Sequence, residues 1–174
     1  MRTANNVTHE REDTMTTMGF RGLVEGTSER GRVVVVDDDP ELRRGVARVL
    51  TQAGYRVEVA ASAEEADQWL SDQRFEVCVL DIGLPGMSGL GFLDWAHVRD
   101  PEMAVIMLTA IDAPEITASC LDKGARGLLT KPVDASLLLR AVRDAMAVRR
   151  LLVSFNHEHG HGESAGKATW RASC

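Results

Sequence analysis

Three short apolar runs, each ending abruptly in a polar side chain, leave this chain few folds to choose from. Val33 to Val36 (VVVV) runs straight into Asp37; Val77 to Leu80 (VCVL) ends at Asp81; Met103 to Leu108 (MAVIML) ends at Thr109. Runs of this length, rich in β-branched residues and bounded by turn residues, are strands buried on both faces, as in a parallel sheet. Open α/β sheets place their chemistry at the carboxyl ends of such strands. The carboxylate of Asp81, followed by the turn-rich segment IGLPGMSG, is therefore a nucleophile, a metal ligand or a cap for the next turn.

Between and after these runs the sequence supplies helices. Asp39-Pro40 precedes ELRRGVARVL, whose Leu42, Val46, Val49 and Leu50 make one apolar helical face closed by Gly54. Asp before Pro at a helix start is most simply the N-cap, Asp39. Tyr55 to Ala60 alternates as a half-exposed edge strand, and Ser62-Ala-Glu-Glu65 is a capping box for a helix through Trp69 and Leu70. Ser88 caps a helix through Trp95, Pro114 starts one that ends at Lys123-Gly124, and Asp134 caps a last one beginning ASLLLRAVRDAM. Gly127 to Thr130 is a short fifth strand leading into Lys131-Pro132.

Five strands alternating with five helices give an α/β fold with a parallel sheet. Right-handed crossovers and short loops favour the flavodoxin-like strand order 2-1-3-4-5, in which the first and third strands are neighbours. That order brings Asp37, Asp38 and Asp81 to one edge, with Thr109 and Lys131 arriving from strands four and five. With Asp39 spent as a cap, Asp37 and Asp38 have no local structural purpose, and adjacent acids at a strand end repel. Such a cost points to a cation or a function.

Composition removes several classes. A chain of 174 residues with 44% hydrophobic content builds one good core. A formal charge of −6 argues against a general nucleic-acid binder. The three cysteines, Cys78, Cys120 and Cys174, form no CxxC pair and fit reduced thiols in a cytoplasm. No stretch approaches a membrane span or a signal-peptide core, so a cytoplasmic location is expected.

Three clustered carboxylates need a compensating cation, and an all-oxygen, partly hydrated site suits Mg²⁺. A carboxylate beside that ion can attack a phosphoryl group to give an acyl phosphate, with Lys131 and Thr109 supplying further contacts to its oxygens. The acidic pair after VVVV, Asp81 in VLDIGLPGMSG, Thr109 in VIMLTA and Lys131 in GLLTKPVD together resemble the receiver domain of two-component response regulators. The resemblance covers roughly Arg32 to Met146. It implies Asp81 as phosphoacceptor, Mg²⁺ held directly by Asp38 and the Gly83 backbone carbonyl and through water by Asp37, and a cis peptide at Lys131–Pro132. It further implies a histidine kinase or histidine phosphotransfer protein as donor, a downstream protein target, and no enzymatic role beyond promoting its own phosphotransfer and dephosphorylation. Phosphorylation would draw Thr109 and its loop inward, a small shift read out on the face of the fourth helix, fifth strand and fifth helix.

Three departures from the family pattern involve four positions. Leu128 replaces the usual Tyr or Phe three residues before the lysine, so the output face is expected to switch by backbone movement alone or weakly. Gly83 and Ile111, two beyond the phosphoacceptor and the threonine, offer no polar group to a hydrolytic water; a long-lived phosphorylated state follows, which loss of the group within seconds would refute. Ser88 stands where the family's turn has an acid, a capping exchange.

The ends of the chain carry weaker signals. Residues 1–31 are polar and aperiodic apart from Met18, Phe20, Leu23 and Val24, and are expected to be a flexible extension of a domain spanning 32–150. From the last helix into the tail, 151–174, Ala141, Ala145, Val148, Leu152 and Phe155 have the spacing of a dimerising helix, against the alternative of a frayed end. His157, His159 and His161 fit solvated residues better than a metal site, and His97 and the stripe Arg140, Arg143, Arg149 and Arg150 fit solvated helix faces. Nothing after Met146 is long enough for an output domain, so the first expectation is a single-domain receiver acting by protein contact. The rivals are the receiver part of a longer DNA-binding regulator, a receiver-like interaction module without phosphorylation, and a small phosphatase. The last lacks a second acid, since Gly83 stands two residues after Asp81.

Overall fold

A computed structural model describes residues 30–110 and 113–159, the last four by backbone only. Its sheet is built from β1 (Arg32–Val36), β2 (Arg56–Ala60), β3 (Val77–Asp81), β4 (Ala104–Thr109) and β5 (Gly127–Thr130). All neighbours are parallel, in the order β2-β1-β3-β4-β5. The valines of β1 and all of β3 and β4 are buried, whereas β2 shows partial exposure as an edge. The flavodoxin-like arrangement is thus present as expected.

Alternation along the strands sends side chains to two cores. Val34, Val36, Cys78, Leu80, Val105 and Met107 face one layer, which includes Phe75, Phe92 and Leu93. Val33, Val35, Val77, Val79, Ile106 and Leu108 face the other, covered by Val46, Leu50, Leu138 and Val142. The helices are α1 (Pro40–Gln52), α2 (Ala63–Asp72), α3 (Gly89–Arg99), α4 (Pro114–Asp122) and α5 (Ala135–His159).

The local stop and start signals act as written in the sequence. Asp39 Oδ1 accepts from the N–H groups of Glu41 and Leu42 at 2.8 and 3.2 Å, and Asp134 Oδ1 accepts from Ser136 and Leu137 at 2.8 and 2.9 Å. Ser88 Oγ accepts from Gly91 N at 3.2 Å. Gly54 and Gly124, at φ +89° and +90°, turn the chain after α1 and α4, a left-handed conformation that side chains resist. At α2 the box is skewed: Ser62 accepts from Glu65 N, but the Glu65 carboxylate takes the N–H of Ala61 rather than that of Ser62.

Two expectations need correction. His97 is half-buried rather than solvated; its Nδ1 lies 3.1 Å from the Leu93 carbonyl and its ring packs beside Gly124. The last helix continues to His159, past residue 150, but the proposed seam divides. Ala145 is buried in the protein's own core, where the sheet-facing side of α5 takes it, and Leu152 is half-buried. The exposed stripe is instead Leu137, Val148, Leu151 and Phe155. Of the basic stripe, Arg140 lies 3.8 Å from Asp144 and Arg149 is half-buried. The N-terminal extension and its apolar patch, Ile111, and the side chains of His157, His159 and His161 lie outside the described residues. Among the described residues, no helix is long and apolar enough to cross a membrane.

Candidate functional site

Strand order alone collects the polar residues. Asp37 follows β1 and extends its ladder, its N–H donating to the Ala60 carbonyl at 3.1 Å. Asp81 ends β3 on the neighbouring strand, and Thr109 ends β4 one position beyond the residue paired with Asp81. Lys131 follows β5, its N–H donating to the Thr109 carbonyl at 2.7 Å. Asp37, Asp81 and Thr109 are buried at 0%, 5% and 2% exposure, and Asp38 is exposed.

The Lys131 ammonium joins two of the acids. Its Nζ lies 2.8 Å from Asp37 Oδ2 and 3.0 Å from Asp81 Oδ2. The other Asp37 oxygen, Oδ1, accepts from Asp39 N at 2.9 Å. Carboxylate oxygens of Asp37, Asp38 and Asp81 all lie within 4.8 Å of one another. Burial pushes the Asp37 carboxyl above its ordinary 3.8, outweighing the Lys131 ammonium that favours its charge. Burial would lower the Lys131 ammonium, but its bonds to Asp37 and Asp81 outweigh that and hold it above the usual 10.5. Asp39, by contrast, is held below 3.8 by the N–H groups it caps.

The flanking positions fit around this cluster. A Cβ added at Gly83 would stand 3.5 Å from Asp81 Oδ2, so this exposed residue borders the phosphoacceptor candidate. The Lys131–Pro132 peptide is cis, as expected. Leu128 is half-buried against the core layer that contains Met107 and Cys120.

Two contributors escaped the sequence reading. A Cβ at Gly89 would lie 2.1 Å from the Asp81 carbonyl oxygen and 2.7 Å from Ile82 Cα, so only glycine lets α3 begin against the end of β3. Its one visible signal was a poor helix former directly after the cap. Arg43, on α1, donates from Nη1 to the Asp37 carbonyl; it is half-buried although its neighbour Arg44 is exposed. One arginine of a charged pair carries no such signal by itself.

A family model of the response regulator receiver domain matches residues 33–143. This chain belongs to that family. The receiver is 35% identical over 129 residues to the alginate biosynthesis transcriptional regulatory protein AlgB of Pseudomonas aeruginosa, covering 74% of this chain and 29% of that protein. It is 32% identical to the response regulator protein PilR of the same organism, covering 69% of this chain and 27% of PilR. The receiver therefore spans under a third of the length of these curated relatives. Among solved structures, a CheY-like receiver domain protein from Methanospirillum hungatei superposes with a TM-score of 0.66 at 31% identity, covering 70% of this chain and 97% of that one.

Proposed function

We propose that this receiver is a phosphoacceptor that takes a phosphoryl group from a phosphohistidine partner onto Asp81 and passes the signal by protein contact. The observation that carries the reading is the Lys131 ammonium held between Asp37 and Asp81 at 2.8 and 3.0 Å, a cation stationed beside a strand-end nucleophile. Asp81 attacks phosphorus as a P–O bond forms and the P–N bond to the donor imidazole breaks; the imidazole, protonated on its other nitrogen, keeps the electron pair and leaves neutral. Lys131 then turns from Asp81 Oδ2 to a phosphoryl oxygen, and the Thr109 hydroxyl donates to another.

The pocket also fits a divalent ion. One ammonium among three carboxylates whose oxygens lie within 4.8 Å leaves a net negative charge, which a divalent cation would neutralise. Asp38, Asp81 and the Gly83 carbonyl would hold Mg²⁺ directly, while Asp37, whose two oxygens already have protein donors, would act through water. Bound Mg²⁺ would neutralise the oxygens of the transferred group. The donor is a histidine kinase or a histidine phosphotransfer protein, and Gly83 supports slow loss of the phosphoryl group.

Incubation with Mg²⁺ and acetyl phosphate, followed by intact-mass measurement, tests this. One added phosphoryl group on the wild type and none on Asp81→Asn is the expected result; equal labelling of both, or none on either, refutes it. A second reading, the receiver as the regulatory part of a longer transcriptional regulator, is supported by the names of AlgB and its kin and by the share of them that is spanned. A reading frame running past Cys174 into an output domain would carry it. The exposed stripe of α5 supports self-association of the receiver through that helix.

A further inference from the structure

We propose that Arg43 is a positioning residue for the acidic pocket: by holding the Asp37 carbonyl it fixes the peptide that aims Asp38 at the cation. The inference rests on the phosphoacceptor reading above and deepens it. The carbonyl that accepts from Arg43 Nη1 belongs to the peptide joining Asp37 to Asp38. A peptide is planar, so fixing its oxygen sets both the ψ of Asp37 and the φ of Asp38 within a narrow range. The rest of the corner is tied from the other side. Asp39 N donates to Asp37 Oδ1, and Arg43's own N–H donates to the Asp39 carbonyl at 3.0 Å.

Arg43 thus closes a loop of bonds around three consecutive aspartates from a single residue of α1. Asp38 and Asp39 are both exposed, but the Asp39 carboxylate is held by the N–H groups of Glu41 and Leu42, so it is Asp38 whose direction depends on the backbone beneath it. Groups bonded to a metal ligand itself commonly change metal affinity about 10-fold or more when removed, and Arg43 holds the peptide one step further back, so a smaller effect is expected.

Charge and position predict opposite signs here, which makes the idea sharp. Removing a cation beside an acidic cluster should strengthen Mg²⁺ binding if only charge mattered. If Arg43 positions Asp38, removing it weakens binding. The test is Mg²⁺ affinity by titration calorimetry on the full chain, for wild type, Arg43→Gln, Arg43→Lys and Arg44→Gln. Arg44 is the exposed neighbour and serves as a charge control. Arg43→Gln is expected to weaken Mg²⁺ by about 3- to 10-fold, Arg43→Lys to fall between it and wild type, and Arg44→Gln to bind as well as wild type or slightly tighter.

Phosphorylation of Arg43→Gln by acetyl phosphate should need more Mg²⁺ than that of the wild type, its half-maximal Mg²⁺ concentration rising by the same factor as the weakened affinity. Equal or tighter Mg²⁺ binding by Arg43→Gln overturns the inference and leaves the phosphoacceptor reading standing. No Mg²⁺ binding by the wild type overturns both. Should Arg43→Gln fail to fold, Arg43→Lys decides: it keeps the charge and loses the fork, and wild-type affinity there overturns the inference.

Discussion

Replacing Lys131 by methionine removes the ammonium while keeping most of the apolar stem. Two buried acids, Asp37 and Asp81, would then share a pocket with oxygens no more than 4.8 Å apart and no protein cation between them. If both stay ionised, an effective dielectric near 20 makes their repulsion about 3.5 kcal/mol. If one takes up a proton instead, the cost at pH 7 is capped. A carboxyl starting from 3.8 loses about 4 kcal/mol, at about 1.4 kcal/mol per pH unit, and Asp37, already pushed upward, resists less. Because the Lys131 side chain is 21% exposed, solvent softens both figures, and the expected loss is about 2–4 kcal/mol.

The sign with pH follows from the direction of the shift. A carboxyl raised in the folded state binds its proton more tightly there, so the variant's stability falls as pH rises through that value. At pH 5 the cap drops to about 1.6 kcal/mol. Urea unfolding followed by circular dichroism, at pH 7 and pH 5 with and without Mg²⁺, should therefore show a penalty that shrinks in acid. Mg²⁺ should stabilise the variant by about 2.7 kcal/mol at 100 times its Kd, and the penalty should shrink by as much as the variant binds the ion more tightly than the wild type. In the wild type the Lys131 contribution is complete below 10.5 and disappears only as pH rises past its raised value. A penalty under about 1 kcal/mol at pH 7, or one indifferent to both pH and Mg²⁺, would refute the electrostatic account of this pocket.

Gly89→Ala should cost about 3 kcal/mol or more in the same unfolding assay, since its Cβ meets backbone 2.1 Å away, whereas Gly45→Ala, with nothing within 4 Å, should be neutral or stabilising. Burial pushes the Cys78 thiol up to about 12, so a thiol reagent at pH 8 should label Cys78 only on unfolding; labelling in the folded protein within minutes would contradict its place in the core. Leu151→Ser with Phe155→Ser should lower the sedimentation mass of the wild type if the exposed stripe of α5 joins two copies, and leave it unchanged if it does not.

What could be read in the sequence was local. Asp39, Ser88 and Asp134 act on N–H groups two or three residues away, and Gly54 and Gly124 on their own φ, so residue order was enough to place them. The sheet order followed from right-handed crossovers through short loops, and burial of β1, β3 and β4 agrees with β2 and β5 as its edges. What escaped depends on approach between distant segments. His97 is half-buried because the turn at Gly124 comes to its ring, and Gly89 is required because α3 starts against the carbonyl of Asp81. Arg43 and Arg44 are chemically identical in the sequence, and only the angle between β1 and α1 decides which one turns inward. The α5 seam was displaced for the same kind of reason: a helix that packs on the sheet for its first turns has already committed the positions that Ala141 and Ala145 occupy.

At 25 residues, α5 is about 37 Å long, while the strands beside it have 4 to 6 residues and reach about 20 Å at most. It is thus a rod nearly twice as long as the sheet it rests on, anchored at one end by Leu138 and Val142. A rod of this kind conveys rotation as well as displacement, because each residue turns the far end by about 100°. The angular phase between the acidic pocket and anything that grips the distal turns is therefore set by residue count, and inserting or deleting a single residue would reset it as surely as any change of side chain.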